Sequence, residues 1–294
     1  MQDVYFHLPG IFEHFDFYEV FMATYYQDRD KFYSWAQVGS IFGAPREAFW
    51  NGGRLKDFQS PNEDAVAAFV QCYDIPCRFT FTNPHIDEQL CFDGFCNMLL
   101  SKFNWEGHKN QVIVNSEALE RHIRTYYPTY KLISSTTKCI TDNNEAINEI
   151  NKDYIMTVID YNYNKDMDFL QAIENKDKVE LLINPVCHPH CARRKLHYDV
   201  IGQIVLHHNM SEIFECDRQG LLFYDAQKNP VFISVEDIQN IYAPLGFRNF
   251  KIEGRTTSKE DLIEILVYYM VKPEYQLEIR QKLQHSQIVR EKIK

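Results

Sequence analysis

Short apolar runs alternate with amphipathic stretches along this chain. Runs of four to eight apolar residues bounded by Gly, Pro, Asn or Asp are typical of buried strands, and apolar residues at three- and four-residue spacing are typical of helices. The predicted strands cover residues 4–8, 35–41, 77–82, 111–114, 131–135, 154–159, 179–183 and 250–252. A predicted helix follows almost every strand.

Eight strands alternating with helices predict an α/β fold, a (β/α)8 TIM-like barrel. A doubly wound open sheet is the alternative, but no glycine-rich phosphate-binding motif follows the first strand. We expect a single barrel domain over residues 1–272 and a C-terminal helix or tail over 273–294. A long insert, about residues 199–248, separates strands seven and eight. Within it, 221–224 and 230–233 predict a hairpin.

Polar residues follow nearly every predicted strand, and a barrel gathers such residues at one mouth. We expect the catalytic residues to be Arg54, Asp160, Glu253 and Arg255, with the two carboxylates as acid–base candidates. The expected substrate-binding residues are Asn83, Asn115, Ser135, Lys138, Asn184 and Lys251. Lys251, Glu253 and Arg255 alternate, so all three point to one side of an extended segment. Amide, carboxylate and cationic groups suit a small polar or anionic substrate, although each alone is more often structural.

A cysteine and histidine cluster follows the seventh strand: Cys187-His188-Pro189-His190-Cys191. If a helix begins near Pro189, both thiols lie on its first turn, where the helix N-terminus favours thiolate. Thiolate binds metal, so the cluster predicts a zinc or iron–sulfur site with Cys216 as third ligand. The fourth ligand is His190 or one of Cys91, Cys96 and Cys139.

Other interpretations of this cluster stay open. The two thiols could carry no ligand, or form a redox pair. A complete site with an open position would support catalysis, whereas a closed site would only fix the insert to the barrel. An enzyme and a non-catalytic binding or accessory protein are therefore both compatible with the sequence.

Several segments together resemble the peptidase U32-like family. These are 180–184, the Cys187/Cys191 pair, Arg194 with His197-Tyr198, and 247–255. The resemblance implies a barrel with cysteines after strand seven and, as in several members, a [4Fe–4S] cluster on four cysteines. It also implies either oxygen-independent hydroxylation of RNA bases or quinone precursors, or a collagenase-like peptidase activity. By position, Cys187 and Cys191 match the close cysteine pair and Cys216 a downstream ligand.

The composition of the chain limits the classes of binding partner that we expect. The formal net charge of −10 disfavours general binding to nucleic acid or anionic membranes. The sequence has no apolar run of about 18 residues and no signal-peptide pattern at its N-terminus. We therefore expect a cytoplasmic protein with eight reduced cysteines. Its expected substrate is a small polar molecule or a modified macromolecule, and it could also bind a protein partner.

Overall fold

A parallel β-barrel closes in strand order in the computed structural model, which describes residues 2–54, 58–207, 216, 220 and 222–293. Each strand pairs with the next, and β1 pairs with β8. The strands are β1 (Val4–Pro9), β2 (Ala36–Gly43), β3 (Cys77–Phe81), β4 (Gln111–Val114), β5 (Lys131–Ser134), β6 (Met156–Val158), β7 (Val179–Leu182) and β8 (Asn249–Lys251). The predicted TIM-like fold is confirmed.

Helices surround the barrel. They are α1 (Phe15–Gln27), α2 (Glu63–Cys72), α3 (Gly94–Lys102), α4 (Glu117–Tyr126), α5 (Asn143–Asn151), α6 (Met167–Ala172), α7 (Arg194–His207), α8 (Phe223–Ala226), α9 (Val235–Asp237), α10 (Ala243–Leu245), α11 (Lys259–Met270) and α12 (Gln276–Ile293). A π-helical turn, Ile238–Tyr242, joins α9 to α10. Among the described residues, no helix combines the length and apolar character needed to cross a membrane.

Short polar side chains fix where the outer helices begin. Asn62, Asp93, Ser116, Asp142 and Ser258 each accept a hydrogen bond from a backbone N–H in the first turn of the helix that follows. Such caps satisfy donors that the helix leaves unpaired, and each contributes about 1 kcal/mol.

Strand residues alternate between two cores. Phe79 and Phe81 of β3 point outward to the helix layer, whereas Arg78 between Cys77 and Phe79 points into the barrel. Phe42, Ile113, Ile133 and Val158 form an apolar group inside the barrel. Buried charged residues, Arg78 and Glu180 among them, lie in the interior as well.

The predicted hairpin in the insert is wrong. Residues 223–226 form the short helix α8, and 230–233 form no strand. Phe223 and Phe232 instead pack their rings against Tyr269 of α11. Their apolar character therefore belongs to the outer core rather than to a strand pair. Leu221 lies outside the described residues.

The helix expected near Pro189 begins later, at Arg194. His190 has φ of +53°, and the chain from Cys187 to Cys191 is irregular, with a turn at Pro189 and His190. The two thiols therefore do not share the first turn of a helix, and the predicted effect of helix amides on them does not apply.

Candidate active site

A pocket with about 580 Å³ of empty space opens at the carboxyl ends of the strands. Phe42, Ile113, Val158 and Leu182 supply its apolar floor. Its polar lining comes from Arg54, Thr80, Thr82, Ser135, Thr136, Thr137, Tyr198, Lys251, Glu253 and Arg255. This is the end at which TIM-barrel enzymes place their active sites.

The loop that carries Arg54 lies close against the end of β3. A Cβ on Gly52 would lie 2.6 Å from the Thr82 carbonyl carbon, so only glycine fits there. Gly53 adopts φ of +79°, which glycine reaches without strain. These two glycines bring the Arg54 guanidinium into the pocket, where it forms an ion pair with Glu253.

Asn184 holds the segment that carries Glu253. Its side chain accepts a hydrogen bond from the Glu253 backbone N–H at 2.7 Å and donates one to the Glu253 carbonyl at 2.9 Å. The predicted substrate-binding residue Asn184 therefore uses its amide to fix the loop after β8. It is 2% exposed and does not line the pocket.

Lys251 of β8 lies deeper in the same pocket. Its Nζ donates a hydrogen bond to Glu180 Oε1 at 3.2 Å and lies 3.5 Å from the centre of the Phe42 ring. The side chain is 10% exposed. Burial lowers the pKa of Lys251 to about 8, with Arg78 and Arg255 acting in the same direction and Glu180 in the opposite one.

Glu180 of β7 is the centre of the buried charges. Its carboxylate pairs with Arg78 and Lys251 and lies 3.6 Å from His7 Nε2. These opposite charges, Arg78 above all, hold the pKa of Glu180 below its usual range against the effect of burial. Burial lowers the pKa of His7 to about 3, so this imidazole is neutral at physiological pH. Its ring nitrogens form hydrogen bonds with the side chains of Ser40 and Asn249 below the pocket.

Arg255 also lines the pocket, but its donors are already directed to protein acceptors. Nε donates to Glu13 at 2.7 Å, Nη1 to the Gly52 carbonyl at 3.1 Å and Nη2 to Asn51 at 2.9 Å. Arg255 therefore joins the Arg54 loop to the barrel, and its contacts are those of a positioning residue.

Asp160 anchors α7 across the mouth. It forms a buried ion pair with Arg194, whose Nε donates to the Tyr198 hydroxyl at 3.1 Å. The Arg194 guanidinium also lies 4.2 Å from the centre of the Tyr161 ring. Asp160 does not line the pocket. Its carboxylate instead holds α7, and α7 carries Tyr198, which does line the pocket.

Asn83 makes a second attachment for α7. Its side-chain amide donates to the backbone carbonyls of Phe49 and Gly202, both at 3.1 Å. A Cβ on Gly202 would lie 2.5 Å from Asn83 Oδ1, so glycine allows this close approach. Asn83 is fully buried and acts between barrel and helix rather than in the pocket.

The remaining predicted substrate-binding residues fall in different places. Ser135 lines the pocket and bonds Thr137, and Asn115 donates to Thr137 Oγ1 at 2.7 Å from behind it. Lys138 turns away from the mouth to Glu149 at 2.5 Å and the Tyr154 hydroxyl at 3.1 Å.

The predicted metal ligands are not assembled by the residues that the structure describes. Cys187 Sγ lies 3.9 Å from the Arg54 guanidinium, and burial raises the pKa of this thiol. His190 is exposed, and Cys191 and Cys216 are half-buried. Within the described ranges, no three His, Cys, Asp or Glu side chains form a metal-binding group. Thiols and an imidazole are donor types that zinc takes, but the described residues do not bring these four together, and metal binding stays a prediction.

Sequence reasoning missed Arg78 and Glu180 as parts of the site and named Tyr198 only within the family resemblance. A signal was present for the first two. Arg78 and Glu180 are single charges of opposite sign inside two apolar strand runs, and a charge buried in a strand requires a partner. No local pattern indicated that Tyr198 would line the pocket, because its position depends on the path of α7.

Comparison with known proteins supports the fold. The described barrel resembles the solved structure of the U32 peptidase Mk0906, with a TM-score of 0.51 and 12% sequence identity. The similarity covers 86% of this chain and 94% of the other. No family model matches the sequence, and no curated protein matches it either. The chain therefore has a U32-like barrel fold.

Proposed function

We propose that this chain is an enzyme whose barrel mouth binds a small anionic organic substrate. The observation that carries the proposal is that Arg54, Lys251 and Glu253 all line the same pocket, together with apolar side chains. Such a combination of apolar surface and a few convergent polar groups is typical of small-molecule sites.

The formal charges around the pocket favour an anion. Arg54 and Glu253 balance each other, as do Arg255 and Glu13. A third balanced pair, Arg78 and Glu180, lies beside Lys251. A protonated Lys251 is then one positive charge in excess, and because its side chain is 10% exposed, solvent screens that charge only in part. A bound carboxylate or phosphate would neutralise that charge.

A binding experiment tests the proposal. The full chain is titrated with pyruvate, 2-oxoglutarate and inorganic phosphate, and its melting temperature is followed. We expect at least one of these anions to raise the melting temperature with saturation. Arg54→Gln removes a charged donor from the pocket and should weaken that binding at least about tenfold.

Arg121→Gln is the matched control, because Arg121 lies on α4 and pairs with Glu88 at the surface. It should bind like the parent chain. Absence of stabilisation by all three anions, or equal affinity in the Arg54→Gln variant, would contradict the proposal. That result would favour the non-catalytic accessory protein.

The cysteine-ligated centre is not part of this proposal, because the described residues do not bring its predicted ligands together. Metal analysis of anaerobically purified protein tests it separately. About four irons or one zinc per chain, lost in Cys187→Ala and kept in Cys72→Ala, would restore the metal hypothesis.

A further inference from the structure

Lys251 differs from the other buried cations of the barrel in how its donors are used. The guanidinium groups of Arg78 and Arg255 direct their nitrogens to side-chain and backbone acceptors. An ammonium has three N–H donors, yet Nζ of Lys251 has one hydrogen-bond acceptor, Glu180, in the described part of the chain. Its other close neighbour is the Phe42 ring.

This setting makes Lys251 easier to deprotonate than an exposed lysine. Glu180 is already compensated by Arg78, so Lys251 gains only part of a counter-charge. The two nearby guanidinium groups repel a third positive charge, and His7 contributes none. The pKa near 8 agrees with this geometry: about one tenth of Lys251 carries a free lone pair at pH 7, against less than about one thousandth of an ordinary lysine. Lys251 is one of the residues that line the open pocket.

We propose that Lys251 is a nucleophilic amine that forms an imine with the carbonyl carbon of a small oxo acid bound at the barrel mouth. The inference rests on the proposed function and names its substrate class. Buried lysines beside other cations are suited to this covalent chemistry, because desolvation and nearby positive charge lower the pKa of the amine and enlarge its unprotonated share.

The step balances without an added oxidant or reductant. The Lys251 nitrogen attacks the carbonyl carbon, a C–N bond forms, and the π electrons move to the oxygen, which takes up a proton. The carbinolamine then loses its oxygen as water while the nitrogen loses its protons and the C=N bond forms. The net change is one amine and one carbonyl converted to one imine and one water.

Other pocket groups suit the rest of such a substrate. Arg54 offers donors to a carboxylate, and the Phe42 and Leu182 side chains offer a surface for its carbon chain. Burial raises the pKa of the Tyr198 hydroxyl, so it is protonated at neutral pH and able to donate to the carbonyl oxygen. An oxo acid uses all of these features, whereas inorganic phosphate uses only the charge.

Borohydride trapping tests the inference. The full chain is incubated with pyruvate or 2-oxoglutarate, reduced with sodium borohydride, and analysed by intact mass and peptide mapping. We expect one reduced adduct per chain, on the peptide that contains Lys251. Acetone is the matched probe, because it keeps the carbonyl of pyruvate without the carboxylate, and it should label far less.

Two variants separate chemistry from folding. Lys251→Met removes the amine, and Lys251→Arg keeps a positive charge but not a nucleophile, so both should lose the adduct. Lys109→Arg changes an exposed lysine paired with Asp74 and should label like the parent chain. If Lys251→Met does not fold, the Lys251→Arg result and the mapped position in the parent chain decide the question.

The outcomes distinguish the two proposals. Stabilisation by an oxo acid without any trapped adduct, or adducts that persist in Lys251→Arg, would overturn the imine and leave anion binding intact. Neither stabilisation nor trapping would overturn both. Labelling that rises steeply between about pH 7 and 9, rather than near the ordinary lysine pKa of about 10.4, would support Lys251 as the reacting group.

Discussion

Replacing Glu180 by Gln is the sharpest test of the buried charge cluster. The side chain is 0% exposed, and its carboxylate faces Arg78, which is 1% exposed, and Lys251. Glutamine keeps the shape and one carbonyl acceptor for Arg78, but it removes the only carboxylate among these three residues. Any loss of stability therefore comes from charge rather than from a cavity.

The magnitude follows from what is left unpaired. Removing one partner of a buried ion pair typically costs about 3–5 kcal/mol. Lys251 can lose its proton more readily in the variant, which relieves part of the repulsion, so we expect a loss of about 3 kcal/mol. A natural domain is stable by about 5–15 kcal/mol. The variant should therefore fold at 25 °C but unfold at clearly lower urea concentration.

Urea denaturation at pH 7, followed by far-ultraviolet circular dichroism, measures the effect. Glu145→Gln is the matched control, because Glu145 is exposed on α5, and such a change should cost less than about 0.5 kcal/mol. Adding Lys251→Met to Glu180→Gln removes one of the uncompensated cations and should recover part of the loss.

A Glu180→Gln variant as stable as Glu145→Gln would refute the reasoning. So would a double variant that is less stable than Glu180→Gln by the full cost of a second core defect. Either result would mean that Arg78 and Lys251 are not held in the barrel by the Glu180 charge. The excess positive charge that we assign to Lys251, and with it the expected anion binding, would then lose its support.

Three further results are expected. Between pH 8 and 10.5 the unfolded chain keeps the Lys251 proton that the folded chain has lost. The free energy of unfolding, relative to that of Lys251→Met, should therefore rise by about 3 kcal/mol across this range. Urea denaturation at several pH values measures this difference, and a difference that does not change with pH would contradict the lowered pKa. Gly202→Ala should push α7 away from Asn83, lower stability by about 1–3 kcal/mol and weaken anion binding, measured by melting temperature with and without pyruvate. Asn62→Ala should cost about 1 kcal/mol through the lost cap of α2 without changing that binding.

Much of the barrel was predictable because its signals are local. Apolar runs and caps such as Asp142 and Ser258 depend on neighbouring residues, and the strands and helices they predict are present. The insert was less predictable, because the apolar character of Phe223 and Phe232 suits either a strand or the outer core. Only their packing against Tyr269 in the folded chain distinguishes the two.

The site was predictable only in part, because strand exits indicate position but not direction. Arg54, Lys251 and Glu253 do line one pocket. Lys138 and Asn83 also follow strands, yet their side chains bind Glu149 and α7 instead. Those partners lie far along the chain or depend on helix packing, so no local pattern separates these residues from the ones that reach the pocket.

The strand β8 and the loop after it supply one inward-facing side chain at every second residue: Asn249 at the bottom, then Lys251, Glu253 and Arg255 towards the mouth. A pleated segment reverses its two faces when its register moves by a single position. Deleting one residue just before Asn249 would therefore turn this whole column towards the helix layer in one step. Much of the chemistry of the barrel thus depends on the register of seven consecutive residues. Inserting or deleting a residue there would be far more damaging than any single substitution among the seven.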